Sequence, residues 1–112
     1  MISADKTPPA ELGYRMPAEW YPHEATWLAW PHNPETWPDN LADAQTEFVR
    51  LVETIARGET VCVIAADEAL IHAREALSHI KNLQLFDIPT NDAWIRDFGP
   101  TFVVNPESGQ LG

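Results

Sequence analysis

Residues 40–66, NLADAQTEFVRLVETIARGETVCVIAA, decide the fold class. Leu41, Ala44, Phe48, Leu51, Val52 and Ile55 recur at three- and four-residue spacing, which gives a helix one apolar face. Asn40 is a favourable N-cap and Gly58 supplies a stop at the far end. Val61 to Ala66 then form an unbroken, partly β-branched apolar run, as expected of a strand covered on both faces.

The flanking segments repeat this alternation. Downstream, Asp67 is expected to cap a second helix whose Leu70, Ala73, Leu77 and Ile80 share one face, and Leu83 to Ile88 read as a strand. Upstream, Thr26 to Trp30 (TWLAW) read as a strand ended by Pro31, followed by the turn-rich PHNPETWPDN. Pro100 to Val104 (PTFVV) are expected to make a fourth strand after a loop at 89–99, and NPESG a turn that leads Gln110 to Gly112 into a returning strand. The order β, α, β, α, β, loop, β predicts an α/β architecture with helices covering a mixed sheet. Residues 1–12, with Pro8 and Pro9, read as an irregular arm, and 13–112 as the ordered part.

The composition narrows the partners. With 17 acidic residues against 7 Lys and Arg, the formal charge is -10, which argues against a surface that neutralises nucleic-acid phosphates or anionic lipid. Net charge speaks to solubility before specificity, so it supports a cationic partner only weakly. No run approaches the roughly 20 apolar residues that span a bilayer, and the start MISADKTPPAELGYR has no signal-peptide character. The single cysteine, Cys62, offers no disulfide framework, so a cytoplasmic setting is expected.

The loop at 89–99 holds Asp92, Trp94, Arg96 and Asp97, and loops at strand ends are where a rigid scaffold presents functional groups. A tryptophan and two aspartates within six residues suit a guanidinium: carboxylates accept its N–H groups in the plane, and an indole face attracts the cation from above. A purely structural reading stays open beside this one. Asp92 could form a turn, Arg96 could pair with either aspartate, and Trp94 could be core; the physics of the loop alone leans that way. Arg96 suits orienting a carboxylate better than meeting a cation.

The remaining candidates are weaker. His23, His32, His72 and His79 carry no zinc-ligand spacing, so no metal site is expected. Cys62 sits inside the apolar run, where a thiol behaves as a small hydrophobe and makes a poor nucleophile. Gly58, Gly99, Gly109 and Gly112 fit neither a phosphate loop nor a dinucleotide fingerprint.

Two segments, GYRMPAEWYPHEATWLAWPHN (Gly13 to Asn33) and IPTNDAWIRDFGPTFVV (Ile88 to Val104), resemble the agmatine deiminases of the wider peptidylarginine deiminase-like group. Tyr21 departs from the first motif, where an acidic residue is expected; it touches no assigned site residue. The resemblance implies a pentein-type β/α propeller of which 13–112 would be the first, truncated module, and a reaction turning agmatine and water into N-carbamoylputrescine and ammonia. It implies no cofactor. Residue by residue it makes Asp97 the guanidinium acceptor and catalytic aspartate, Trp94 a lining residue of the substrate pocket, and Asp92 a neighbouring substrate contact.

By the same resemblance, the nucleophilic cysteine and the histidine of the family lie in later modules. The 112 residues alone are then expected to be inactive and to associate through an uncovered module face, as a homo-oligomer or otherwise. Two other readings stay open: a fragment acting on arginine or protein-arginine, and a non-enzymatic acidic module that binds a cation.

Overall fold

The computed structural model describes residues 6–112. Contacts divide these into two units: His23–Phe98, and the residues up to Pro22 together with Gly99–Gly112.

The larger unit is built on three strands, β1 (Ala25–Ala29), β2 (Thr60–Ala65) and β3 (Leu83–Asp87), in the spatial order β1-β2-β3. Both pairings are parallel, with Trp27 opposite Cys62 and Cys62 opposite Gln84. Helices α1 (Leu41–Ala56) and α2 (Asp67–Ala76) make the two crossovers, and a single helical turn, α3 (Ile95–Phe98), follows β3. The ladder runs one residue beyond two of the strands, where the Trp30 N–H donates to Ile64 O (3.1 Å) and the Ile88 N–H to Ala65 O (3.0 Å).

Because side chains alternate along a strand, β2 sends Val61, Val63 and Ala65 to one face and Cys62 and Ile64 to the other. The first face meets both helices. Val52 and Ala56 of α1, with Ala73 and Leu77 of α2, join it in one buried core, flanked by Leu28, Leu83 and Leu85. Trp30 locks the upper end of this layer. Its ring stands edge-on to Phe48 of α1 (centroids 5.3 Å apart) and to His72 of α2 (5.6 Å), the offset geometry aromatic quadrupoles favour. Of the helix faces expected from residue spacing, Val52, Ala73 and Leu77 are buried and the rest half-buried, except Leu51, which lies at the edge of the α1 stripe and is exposed.

The capping differs from expectation. Asn40 does stand at the start of α1, and its backbone carbonyl accepts from the Ala44 N–H (3.0 Å), yet its side chain makes no cap hydrogen bond. Turned over, its amide donates to the Pro38 and Trp37 carbonyls, which tie it to the preceding turn. Asp67 lies inside the first turn of α2, and Ala66 holds the cap position. The end of α1 is closed at Arg57 in right-handed conformation, with the Gly58 and Glu59 N–H groups both reaching Ile55 O (3.0 and 3.1 Å). Asn82 adds a further partner there, donating to Ala56 O (2.8 Å).

The strand expected at 100–104 does not join the sheet. Pro100 has no N–H to offer a ladder, and the segment belongs to the smaller unit, where Val104 alone is bridged, to Arg15 on one side and Leu111 on the other, both antiparallel. The sheet of the described residues is therefore parallel, and its expected mixed character survives only as these isolated bridges. The expected turn at 105–109 does form: Asn105 Oδ1 accepts from Glu107 and Ser108 N–H (3.0 and 3.2 Å), and Gly109 closes it with φ +71°. Gly13, at φ +84°, ends a short 3-10 turn (Pro9–Leu12) within the segment read as an irregular arm; residues 1–5 of that arm lie outside the described residues.

Candidate functional site

In a parallel sheet every strand points the same way, so the segments that follow β1, β2 and β3 all leave from one edge, the edge where open α/β sheets bind ligands. Three segments converge there: 30–40 after β1, the Ala66–Ala69 start of α2, and 88–98 after β3. A cavity of about 800 Å3 opens among them, bordered by Trp30, His32, Gln45, His72, Pro89 and Thr90, with the exposed carboxylates Asp67 and Glu68 at its side. Its walls are internally tied. The Gln45 amide donates to Pro31 O (2.9 Å), and His32 Nδ1 lies 3.2 Å from Trp30 O.

The loop at 89–98 borders this cavity with its first two residues and carries the predicted site with its last seven. Asp92 is half-buried and both of its carboxylate oxygens are engaged. The Thr36 hydroxyl donates to Oδ2 and the Ala93 N–H donates to Oδ1 (2.7 Å). Donors around an anion favour its charged form, so these bonds, Thr36 first, hold the Asp92 carboxyl below the usual range.

Trp94 and Asp97 are presented differently. The chain turns at Asp92 and Ala93 and closes α3, with the Ile95 N–H on Ala93 O (2.9 Å) and the Asp97 N–H on Trp94 O (2.9 Å). This single turn lies against β1. It leaves Trp94 57% exposed, and the side chains of Arg96 and Asp97 exposed beside it. A tryptophan is seldom that open unless something covers it, and one helical turn brings its carboxylate neighbour to the same patch.

Cys62 takes no part in this region. It is 4% exposed in the central strand, and burial pushes its thiol up from the ordinary value. Among the described residues no three His, Cys, Asp or Glu side chains gather as metal ligands would, and no helix is long and apolar enough to cross a membrane.

Sequence reasoning missed two contributors, Asn33 and Thr36. Asn33 Oδ1 accepts from the Glu35 N–H (2.9 Å) and its backbone carbonyl from the Thr36 and Trp37 N–H groups (3.2 Å each), folding 33–37 into a tight turn. That turn grips the loop, through Asn33 Nδ2 to Asn91 O (3.4 Å) and Thr36 to Asp92. The only sequence signal was an asparagine and a threonine in a proline-rich stretch, which reads as an ordinary turn.

Comparison with known proteins completes the description. Residues 15–111 match the model of the Porphyromonas-type peptidyl-arginine deiminase family. The agmatine deiminase of Stutzerimonas stutzeri is 44% identical over 104 residues, 93% of this chain and 28% of its own length. That of Pseudomonas aeruginosa is 41% identical over 112 residues, 100% of this chain and 30% of its own. Among solved structures, the agmatine deiminase of Enterococcus faecalis superimposes with a TM-score of 0.84 at 31% identity, covering 92% of this chain and 27% of that one. The chain thus spans between 28% and 30% of the length of these curated relatives.

Proposed function

Since the chain belongs to the Porphyromonas-type peptidyl-arginine deiminase family and has the fold of one module of its pentein propeller, we propose that it forms part of an agmatine deiminase, converting agmatine and water into N-carbamoylputrescine and ammonia. The reading draws support from the curated relatives, which carry that name over nearly all of this chain. The observation that carries it is that Trp94, just before α3, and Asp97, within it, are both exposed and joined by the Asp97 N–H to Trp94 O bond.

Asp97 accepts the N–H groups of the guanidinium in its plane, and the Trp94 indole face covers the cation. Asp92 adds a second acidic contribution from the base of the same loop. Held this way, the planar group keeps its carbon open to a cysteine thiolate, ammonia departs from the tetrahedral adduct, and water assisted by a histidine hydrolyses the amidino intermediate. The carboxylates stabilise the positive charge that persists along this course. Cys62, buried with its thiol pKa raised, makes a poor nucleophile, and we take the attacking thiolate to come from outside these 112 residues, which alone are then expected not to turn agmatine over. No metal or cofactor enters the chemistry. We take the cytoplasm as the compartment and association through an uncovered face as the behaviour of the isolated chain.

The test is Asp97→Asn in the polypeptide that includes the nucleophile. It should lower kcat/KM for agmatine by about 100-fold or more, the scale of an unpaired charge contact in a desolvated pocket. Near-normal kinetics would refute the assignment. Agmatine, arginine and an arginyl peptide assayed side by side decide the substrate, and a preference for the peptide would overturn the choice of agmatine.

A further inference from the structure

The turn at 33–37 and the loop at 89–98 are joined at two points, through Asn33 to Asn91 O and Thr36 to Asp92, which fall on consecutive residues of the loop. Two adjacent points of attachment remove both sliding and pivoting, where one would leave a hinge. Asp92 passes the constraint onward. Its Oδ1 takes the Ala93 N–H (2.7 Å), which sets the backbone entering α3 and with it the position from which Trp94 and Asp97 are presented. The donor at the start of this chain of contacts is a hydroxyl on a residue far away in sequence.

We propose that Thr36 is a positioning residue for the guanidinium site, acting through Asp92 to set the position of Trp94 and of the turn that carries Asp97. This assignment rests on the function proposed above and deepens it. A hydrogen bond to a charged acceptor is stronger and more directional than a neutral one, and valine would fill the same volume without the donor. The loop would then keep its place in the sequence and lose its aim. Small misplacements of a substrate-holding group lower the fraction of complexes in reactive geometry, which lowers kcat more than it raises KM.

The experiment is a double-mutant cycle on agmatine turnover by the polypeptide that includes the nucleophile. Thr36→Val should lower kcat/KM by about tenfold, mostly in kcat, and Thr36→Ser, which restores the hydroxyl, should recover most of it. On an Asp92→Ala background, Thr36→Val should have little further effect, because the group it acts through is gone. Additive effects of the two changes, or a Thr36→Val enzyme as active as wild type, would overturn the inference while leaving the proposed function standing. A wild type that does not turn agmatine over overturns both. Indole N–H resonances of tryptophan-labelled protein supply a readout free of catalysis: the Trp94 signal, identified with Trp94→Phe, should shift in Thr36→Val and return in Thr36→Ser. An unmoved signal would also reject the assignment.

Discussion

Trp27 of β1 and Phe86 of β3 meet with their ring centroids 4.9 Å apart, although the whole of β2 lies between their strands. Strands two positions apart in a sheet are separated by nearly 10 Å, so the rings lean toward each other across the central strand. They share the face that carries Cys62 and Ile64. Cys62 should therefore resist a thiol reagent such as DTNB in the folded chain. Trp27→Ala should raise its labelling rate roughly tenfold, as the loss of about 1.4 kcal/mol of protection would do. Equal rates in the two proteins would show that the ring pair does not shield the thiol.

Leu77 is completely buried between α2 and the sheet. Leu77→Ala leaves a cavity that a close-packed layer fills only in part, and should cost about 2–5 kcal/mol in urea unfolding with the slope unchanged. Ile71, on the exposed side of the same helix, is the control, and Ile71→Ala should stay within about 0.5 kcal/mol.

Asp92 gives the protein an acid sensitivity whose sign is set by its partners. Its folded-state pKa lies below that of an unfolded aspartate, so the stabilisation is fully present above the ordinary aspartate value of about 3.9 and disappears as pH falls through the lower folded-state value. Comparing wild type with Asp92→Asn in urea, the stability difference should be level above about pH 5 and shrink below it. A difference that stays constant down to acid unfolding would contradict this account of the carboxylate.

Trp94 offers a separation of shape from charge attraction. If the proposed function holds, then in the polypeptide that includes the nucleophile Trp94→Phe keeps an aromatic face with a weaker quadrupole and should raise KM for agmatine severalfold, whereas Trp94→Ala should raise it by about tenfold or more. Equal KM values for the two variants would remove the cation–π element from the site.

The helix at 41–56 and the strands on either side of it are legible in the sequence because the forces that make them are local and repeated: apolar spacing, a breaker at each end, a run buried on both faces. β1 and β2 each begin and end one residue earlier than expected and β3 ends one residue earlier; at the ends of β1 and β3 the ladder bonds outlast the regular geometry. The fourth strand was illegible for a different reason. PTFVV has strand-like residues, but no periodicity says which partner a strand will find, and Val104 finds Arg15 and Leu111. The nearness of Asp92, Trp94 and Asp97 could be read directly, since one short loop holds all three. Thr36 could not, because its contact crosses 56 positions and nothing in its own neighbourhood announces it. Nor was α3 legible, four residues being too short for a helical period to show.

The parallel sheet, whose spatial order equals its order along the chain, also bears on how the molecule is made. On the ribosome β1 emerges first, and the central strand that follows it finds its neighbour already outside the exit tunnel. When β3 emerges, the other edge of that central strand is waiting for it. No strand of this sheet has to hold a gap open for a later one, so the scaffold can be assembled in the order of translation, with the loop at 89–98 extruded only after the three strands have been synthesised.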